Sequence, residues 1–513
     1  MAASRTKRTI QNSITSFFLL LIQLTLGFYS RKIFLDKLGD EVLGINTTVG
    51  NILAFLNLAE LGIGVAMSTS LFKPLYQDEK NTICEIITLQ GFLYKKIALL
   101  ICCLSIPILF LFPIFFPSTE CGLLYVYVVY LVFLWGSISG YLWNYRQVLI
   151  YADQKNYLLN LRVQVLRYIK IILQIIFLKY ILWGIWGWIG LEFIISTITI
   201  FAINDLLKRK YPWLHKVEIS YNQLRNKYKH LTVKTQQVFI HKISTYVLEQ
   251  TSPLIIYAFV SLSMVTYYSN YMIIIGYTAI LLNSVFDSMG ASIGSVVAEN
   301  NKPHIIRVFD ELFTSRLWLS AIVCFTVYIT ISPFISLWIG EKYLLSQNTL
   351  ILLLISLYIR MTRTVIDSFK QAYMLFGDIW APITEAVLNL GCSIILGYYW
   401  GLNGILLGVN ISLIIVVLIW KPYYTFKKGF QTSVTKYYVK YFFHISLFTS
   451  IAFLTIHYLD FITNSFITPL NTLARILIAV FFYSLITFVT LFIFSQGMRL
   501  FTKRIINIIH LKF

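Results

Sequence analysis

The sequence predicts an all-α polytopic membrane protein with about fourteen transmembrane helices, arranged as two pseudosymmetric six-helix lobes around a central cavity plus two C-terminal helices. Of its 513 residues, 58% are hydrophobic and only 12% are charged, and the mean hydropathy is +0.73. Soluble domains carry about 25% charged residues, so this chain has too few to cover an aqueous surface. It also contains about fourteen apolar runs long enough to cross the roughly 30 Å of hydrocarbon in a bilayer.

Cutting these runs at Pro, Gly and charge clusters gives the following spans in chain order: 12–35, 42–72, 97–116, 123–145, 157–178, 183–204, 236–259, 263–297, 313–337, 347–372, 381–399, 403–420, 441–459 and 472–495. We expect four parts: an N-lobe (1–204), a basic cytoplasmic linker (205–235), a C-lobe (236–420), and a C-terminal part (421–513) with a basic loop, two spans and a cytoplasmic tail. The first run lacks a small-residue cleavage site, so we expect it to be retained.

The basic excess fits a membrane orientation. The chain has 42 Lys and Arg against 22 Asp and Glu, a net charge of +20, and most of the basic residues fall in alternate loops. The positive-inside rule then places both termini in the cytoplasm. The charge is thereby explained by orientation and by attraction to anionic lipid headgroups, and we expect no nucleic acid partner.

The two lobes resemble each other in sequence pattern. Span 2 ends in Glu60-Leu-Gly62-Ile-Gly64, and span 8 ends with Asp287 followed by Gly290 and Gly294. Both spans are long, glycine-rich and followed by a polar loop. An even number of spans per lobe makes the repeats parallel, and this layout is typical of transporters that work by alternating access.

Several classes of chemistry lack their sequence signals. There is no G-x-x-x-x-G-K-[ST] phosphate loop. The six Cys form no C-x-x-C pair and the seven His show no metal-ligand spacing, so we expect no metal site and no cofactor other than a coupling Na⁺ or H⁺. The predicted outward loops are too short for a catalytic domain, so we expect a transporter and not an enzyme.

Charged residues at bilayer depth are costly and therefore mark functional candidates. Span 5 carries Arg162, Arg167 and Lys170, and span 10 ends with Arg360 and Arg363, followed by Asp367 and Lys370 at helical spacing. The alternatives are a shifted helix start that leaves the span 5 cations among headgroups, and a structural ion pair between Arg363 and Asp367. Two more candidate cations are Lys242 at the start of span 7 and Arg31 at the outer end of span 1. Anchoring at the membrane surface is the alternative for Arg31.

A second set of polar residues is expected to line the cavity or bind a coupling ion. Glu385 and Asn389 in span 11 continue to Ser393 as a stripe at i, i+4 and i+8, which cannot face lipid cheaply. Interhelical hydrogen bonding is the alternative for this stripe. The other members are Glu249, Glu60 and Asp287. Because cations outnumber acids in the inner half of the candidate cavity, the pattern favours an anionic substrate group such as phosphate or pyrophosphate.

Several segments together resemble the polysaccharide flippases, of the O-antigen and capsule type, within the multidrug/oligosaccharidyl-lipid/polysaccharide exporter superfamily. The segments run Leu38-Gly-Asp-Glu-Val-Leu-Gly-Ile45, Glu60-Leu-Gly-Ile-Gly64, Ala152-Asp-Gln-Lys-Asn-Tyr157, Tyr268-Ser-Asn-Tyr271, Ala381-Pro382 and Trp400-Gly-Leu-Asn-Gly404. Each segment by itself matches the family pattern only loosely, but the order and spacing of the segments together are specific to this family. One departure is Thr251-Ser252-Pro253, where members often carry an Asp in span 7.

The resemblance implies movement of undecaprenyl-pyrophosphate-linked oligosaccharide units from the cytoplasmic to the outer leaflet of a bacterial inner membrane, for surface polysaccharide such as lipopolysaccharide O-antigen or capsule. Implied partners are the lipid-linked substrate, membrane lipids, and the polysaccharide polymerase and chain-length machinery. Two alternatives stay open: a cation-coupled multidrug exporter of the same superfamily, and a polytopic polysaccharide polymerase.

Overall fold

In a computed structural model the chain forms two compact units, Met1–Thr266 and Tyr267–Phe513. The structure describes residues 2–57, 63–117, 119, 121–153, 155–181, 184–229, 251–287, 293, 296–297, 299–373, 375, 377–463 and 470–510. Within these ranges the chain is helical and contains no strand. The predicted all-α class is confirmed.

The helices of the first unit are long and joined by short connections. They are α1 (Ala2–Leu56), α2 (Ile63–Tyr76), α3 (Lys80–Phe115), α4 (Gly122–Trp143), α5 (Val148–Ala152), α6 (Asn156–Tyr180), α7 (Gly184–Lys210) and α8 (Tyr221–Lys227), then a helical stretch at 251–259. The boundary between the units falls inside α9 (Leu262–Asp287).

The second unit continues from α9. Its helices are α10 (Lys302–Trp338), α11 (Gln347–Ala372), α12 (Trp380–Ser412), α13 (Lys421–Thr425), α14 (Thr435–Thr463), α15 (Leu470–Phe494) and α16 (Gln496–His510). Residues Leu413–Trp420 and Phe426–Phe430 on either side of α13 are π-helical, so α12 runs on without a loop as far as Phe430.

Nine helices in the described ranges are long and apolar enough to cross a membrane. One of them, Trp380–Phe430, contains both span 11 and span 12. The helix α6 is not among the nine because Arg162, Arg167 and Lys170 interrupt its apolar residues. Its 25 residues nevertheless extend about 37 Å, enough to cross the hydrocarbon.

Two glycines separate helices that would otherwise be continuous. Gly39 in α1 has φ 82° and Gly401 in α12 has φ 55°, in the region that only glycine adopts readily. Each break lies between two predicted spans, 12–35 and 42–72 in the first case and 381–399 and 403–420 in the second. The turn at Gly401 folds α12 back on itself as a helical hairpin.

The hairpin within α12 is held by small residues. A Cβ atom on Gly404 would lie 1.9 Å from the Leu396 carbonyl oxygen, and one on Gly408 would lie 2.3 Å from the Ser393 backbone nitrogen. The Ser393 hydroxyl donates to the Ile405 carbonyl at 3.0 Å. Such close backbone approach is how membrane helices gain packing contacts when lipid is as apolar as their side chains.

Each unit has its own apolar core. In the first, buried side chains of α1, α3 and α4 such as Ile45, Ile101 and Tyr130 pack together. In the second, buried aromatic residues on α10 and α11, including Phe313 and Phe369, pack against π-helical Phe430.

Part of the predicted basic linker is anchored to α3. Glu85 on α3 accepts from Lys227 and from the Tyr228 hydroxyl, each at 2.6 Å. Burial, together with the Glu85 carboxylate, raises the pKa of Tyr228, so its hydroxyl keeps the proton that it donates. Leu224, on the short helix α8 that precedes Tyr228, is fully buried. Residues 211–229 therefore belong structurally to the first unit.

Candidate functional site

The helix α6 brings three of the predicted cations to one element. Its exposed apolar residues fall within one arc of about 80° at 100° per residue; they are Leu161, Val165, Ile169, Ile172 and Ile176. This arc has the composition of a lipid-facing surface. The three cations lie outside it.

Lys170 is paired across the helix interface. Its amino group lies 2.6 Å from Glu192 Oε1 on α7, and both side chains are about one-fifth exposed. The other Glu192 oxygen accepts from the Gln174 amide at 3.2 Å, and that amide also donates to the Trp188 carbonyl. The charge of Lys170 is thus neutralised inside the first unit.

Arg162 is also paired with α7. Its guanidinium donates to Asp205 Oδ2 at 3.1 Å and to the Ala202 carbonyl at 3.0 Å. Arg209 bonds the other Asp205 oxygen at 2.8 Å. Both ion pairs connect α6 to α7, so two of the three cations of α6 are neutralised by the neighbouring helix.

Arg167 differs from its two neighbours. It lies near the middle of α6 and is exposed, and within the described part of the chain it forms no hydrogen bond or ion pair. Exposed Asn160 shares its side of the helix, with half-buried Gln164 beside it. Arg167 and Asn160 point about 140–160° away from the centre of the apolar arc and Gln164 about 100°, so the exposed side of Arg167 is turned away from the apolar surface.

In the second unit the predicted cations of span 10 meet acids. Arg363 lies 3.4 Å from Asp367 at i+4 on α11, which is the structural ion pair of the alternative interpretation. Asp367 in turn lies 3.9 Å from the Lys421 amino group at the start of α13, and Lys421 lies 3.8 Å from Glu385 Oε2 on α12. Two basic and two acidic groups therefore form a connected, electrically balanced network.

The one lysine of α11, Lys370, is also paired with an acid. The Lys370 amino group contacts both oxygens of Asp378, at 2.5 and 2.7 Å, and Asp378 is fully buried. The Tyr424 ring lies 5.4 Å from the same amino group. Lys370 thus fixes the connection between α11 and α12.

The predicted polar stripe on α12 is buried along its length. Glu385 is 3% exposed, and Asn389 and Ser393 are fully buried. Asn389 donates to the Ser412 hydroxyl at 3.4 Å across the hairpin. Two acceptor atoms on adjacent turns, Glu385 Oε1 and Asn389 Oδ1, have no hydrogen-bond partner. Ser393 and Asn389 thus bond between helices, and two oxygens remain for a proton, an ion or water.

A buried arginine that the sequence reasoning missed is Arg316 on α10. It is fully buried, and it donates to the Met361 carbonyl at 2.8 Å, to the Leu282 carbonyl at 3.2 Å and to Asn283 Oδ1. The predicted start of span 9 at 313 puts Arg316 at a helix end. In the structure α10 begins eleven residues earlier, at Lys302, so Arg316 lies well inside the helix. A correct prediction of where this helix starts would have identified Arg316 as a candidate.

The remaining predicted site residues are placed as follows. Arg31 and Arg360 are half-buried and interact with neighbouring groups. Asp287 is the last residue of α9. Lys242, Glu249 and Glu60 lie outside the described residues. Within the described ranges no group of His, Cys, Asp and Glu could hold a metal ion.

The fold is shared with known transporters. A structure of "Lipid II flippase MurJ, inward closed conformation" superposes with a TM-score of 0.64 at 18% identity, covering 94% of this chain and 99% of that chain. An inward-facing multidrug resistance MATE family transporter of the MOP superfamily gives 0.60 at 14% identity, covering 79% and 94%. The MATE transporter VcmN of Vibrio cholerae, in the bent form, gives 0.51 at 16% identity, covering 84% and 98%.

No protein-family profile and no curated protein matches the sequence. At sequence identities of 14–18%, the structural similarity establishes the shared fold. The chain shares the helical fold of MurJ over 94% of its length and that of the two MATE transporters over 79% and 84%.

Proposed function

We propose that this protein is a transporter that flips an anionic, lipid-linked oligosaccharide across the membrane, and that Arg167 binds the pyrophosphate of the substrate. The observation that carries the proposal is the state of Arg167. It is an exposed arginine near the middle of α6, on a polar face turned away from the apolar arc, with no acid to neutralise it among the described residues.

Charge in this position needs water or a charged ligand. A cation at the centre of a bilayer costs at least about 2.5 kcal/mol on insertion scales. Lys170 and Arg162 avoid that cost through Glu192 and Asp205, but Arg167 has no such pair within the described ranges. A guanidinium offers several donors in one plane, which suits the oxygens of phosphate and pyrophosphate.

The neighbours of Arg167 suit a sugar. Asn160 and Gln164 share its polar face, and Gln164 Oε1 is buried without a hydrogen-bond partner. Amide groups both donate to and accept from hydroxyl groups. The face therefore combines one group for a phosphate with two for carbohydrate.

The fold supports a lipid-linked substrate. The MurJ structure, which covers 94% of this chain, is named as a flippase of lipid II. From that name we propose the class of reaction, which is lipid flipping. From the resemblance of the sequence to polysaccharide flippases we propose the substrate, an undecaprenyl-pyrophosphate-linked oligosaccharide for surface polysaccharide. With no G-x-x-x-x-G-K-[ST] phosphate loop in the chain, a gradient of Na⁺ or H⁺ acting through Glu385 and Asn389 is the proposed source of energy.

A multidrug exporter is the second candidate, because MATE transporters share the fold. A cationic drug would need an acid that is free to pair with it. Glu192 is paired with Lys170, Asp205 with Arg162 and Asp367 with Arg363. The charge left over around α6 is positive, which favours the anionic substrate.

The experiment is complementation in a strain that lacks the gene. Arg167→Glu should insert normally and abolish surface polysaccharide, whereas the matched control Lys179→Gln, an exposed cation at the end of the same helix, should restore it. Normal polysaccharide with Arg167→Glu would contradict the proposal. Intact polysaccharide in the deletion strain, with accumulation of cationic dyes, would favour the exporter.

A further inference from the structure

A cleft in the second unit is formed where three C-terminal helices meet. Its volume is about 450 Å³, and it is lined by the start of α14, the end of α15 and the start of α16. Because α14 begins where α15 ends, the cleft opens at one end of this helix pair. We propose that it binds an anionic phospholipid, with the headgroup at Lys436 and an acyl chain along the apolar wall.

The charged end of the cleft is positive. Lys436 is exposed and forms no ion pair within the described ranges. Lys440, one turn further, is paired with Asp310 on α10, so its charge is balanced. No acidic side chain is among the described residues that line the cleft. The unbalanced charge at the opening is the ammonium group of Lys436, which attracts a phosphate.

Two polar atoms on the wall lack partners. Ser495 and His444 both line the cleft and are 6% and 4% exposed, and the Ser495 hydroxyl and His444 Nε2 make no hydrogen bond. Buried polar groups are normally satisfied, so the Ser495 hydroxyl, at the end of α15 where α14 begins, indicates a polar guest at the charged end of the cleft. His444 lies two turns beyond Lys436 on α14. Ser495 immediately precedes α16. The backbone N–H groups in the first turn of a helix have no carbonyl partner within the helix, and they favour an anion.

Apart from Thr435 and Gln496, the rest of the wall is apolar. Val439, Phe443 and Leu447 follow Lys436 along α14, and Leu491 and Phe494 face the cleft from α15. Leu447 lies eleven residues beyond Lys436, a distance of about 16 Å along the helix. A cationic opening followed by about 16 Å of mostly apolar groove matches a phosphate headgroup and the first part of an acyl chain.

The leaflet follows from the predicted orientation. The positive-inside rule places the basic loop before α14 in the cytoplasm, so the cleft opens at the inner surface of the membrane, where anionic lipids attract basic residues. This site lies in the second unit and its residues are separate from Arg167, so it stands independently of the proposed transport activity.

The test is lipid binding to the purified full-length protein in detergent, followed by native mass spectrometry with phosphatidylglycerol and phosphatidylcholine. We expect one phosphatidylglycerol to bind more tightly than phosphatidylcholine, and Lys436→Gln to weaken it about fivefold, the effect of one lysine near a lipid surface. Lys436→Arg should restore binding. The matched control is Lys503→Gln, which removes an exposed charge of α16 away from the cleft.

Three outcomes would overturn the proposal. Equal loss of binding in the Lys436 and Lys503 variants would mean that only net charge matters. Equal binding of phosphatidylcholine would mean that the cleft recognises acyl chains alone. Displacement of the lipid by millimolar inorganic phosphate would mean that the site takes a free anion.

Discussion

The three cations of α6 differ in what surrounds them. Lys170 and Arg162 have acid partners on α7, while Arg167 is exposed and forms no ion pair within the described ranges. The first two therefore serve to pack α6 against α7 in this structure, and the third is available to a ligand. Spacing along the chain cannot make this distinction, because it depends on the neighbouring helix.

Lys170 and Glu192 provide the first prediction. Lys170→Gln leaves a largely buried carboxylate without its cation, and Glu192→Gln does the reverse, so each should lower the free energy of unfolding by roughly 1–3 kcal/mol. The double variant should lose less than the sum, since neither charge is then unpaired. The measurement is thermal unfolding in detergent, arranged as a double-mutant cycle. Additive losses would show that the two residues do not interact.

At the scale of single residues, the sequence could predict which residues carry unusual charge but not their partners. Arg162, Arg167 and Lys170 stand out because they interrupt an apolar run. Glu192 and Lys421 stand out less, and each pairs with a residue on the preceding helix, 22 and 36 positions back in the chain. Arg316 was missed because its location inside α10 depends on where that helix begins.

Among the helices, the hairpin of α12 depends on glycine. Gly404→Ala would place a Cβ atom 1.9 Å from the Leu396 carbonyl oxygen, which forces the two arms apart. We expect a loss of about 1–3 kcal/mol or more, seen as a lower melting temperature of the purified protein.

The matched control for this change is Gly391→Ala in the first arm of the same hairpin. A Cβ there meets nothing within 4 Å, so alanine should be neutral or stabilising by up to about 1 kcal/mol. Equal melting temperatures for the two variants would contradict the close packing at Gly404.

The segment after α7 gives a prediction about accessibility. Glu85→Gln removes the charge that holds Lys227 and weakens the bond from Tyr228. Residues 211–229 should then open more often, and trypsin should cleave within them several-fold faster. Glu218→Gln, which changes an exposed acid in the same segment, should leave the rate unchanged. An unchanged rate with Glu85→Gln would show that the ion pair does not hold the segment.

Helix positions are predictable because about 20 apolar residues are needed to cross a bilayer. Span 10, for example, is predicted at 347–372, and α11 has those limits. The extensions of α3 and α10 beyond their spans are not predictable from apolar length, since Lys80 to Lys96 and Lys302 to Leu312 are too polar for a membrane core. The π-helical turns around α13 have no sequence signal that we recognise.

For the whole molecule, the predicted orientation is open to test. With both termini in the cytoplasm, green fluorescent protein fused after Phe513 should fluoresce, and alkaline phosphatase fused there should be inactive. The physical reason is the concentration of Lys and Arg in alternate loops. Active phosphatase at that position would show that the C-terminus lies outside the cytoplasm. The predicted orientation would then be wrong, and the cleft beside Lys436 would open at the outer leaflet.

The central claim is that Arg167 binds the pyrophosphate of a lipid-linked oligosaccharide during its movement across the membrane. The most direct measurement is translocation of such a lipid, carrying a fluorescent sugar, in liposomes that contain the purified protein. Wild type and Lys179→Gln should translocate it, and Arg167→Gln should be at least about tenfold slower, the loss of one charge-assisted contact. Equal rates for Arg167→Gln and wild type, or no translocation by wild type, would contradict the account.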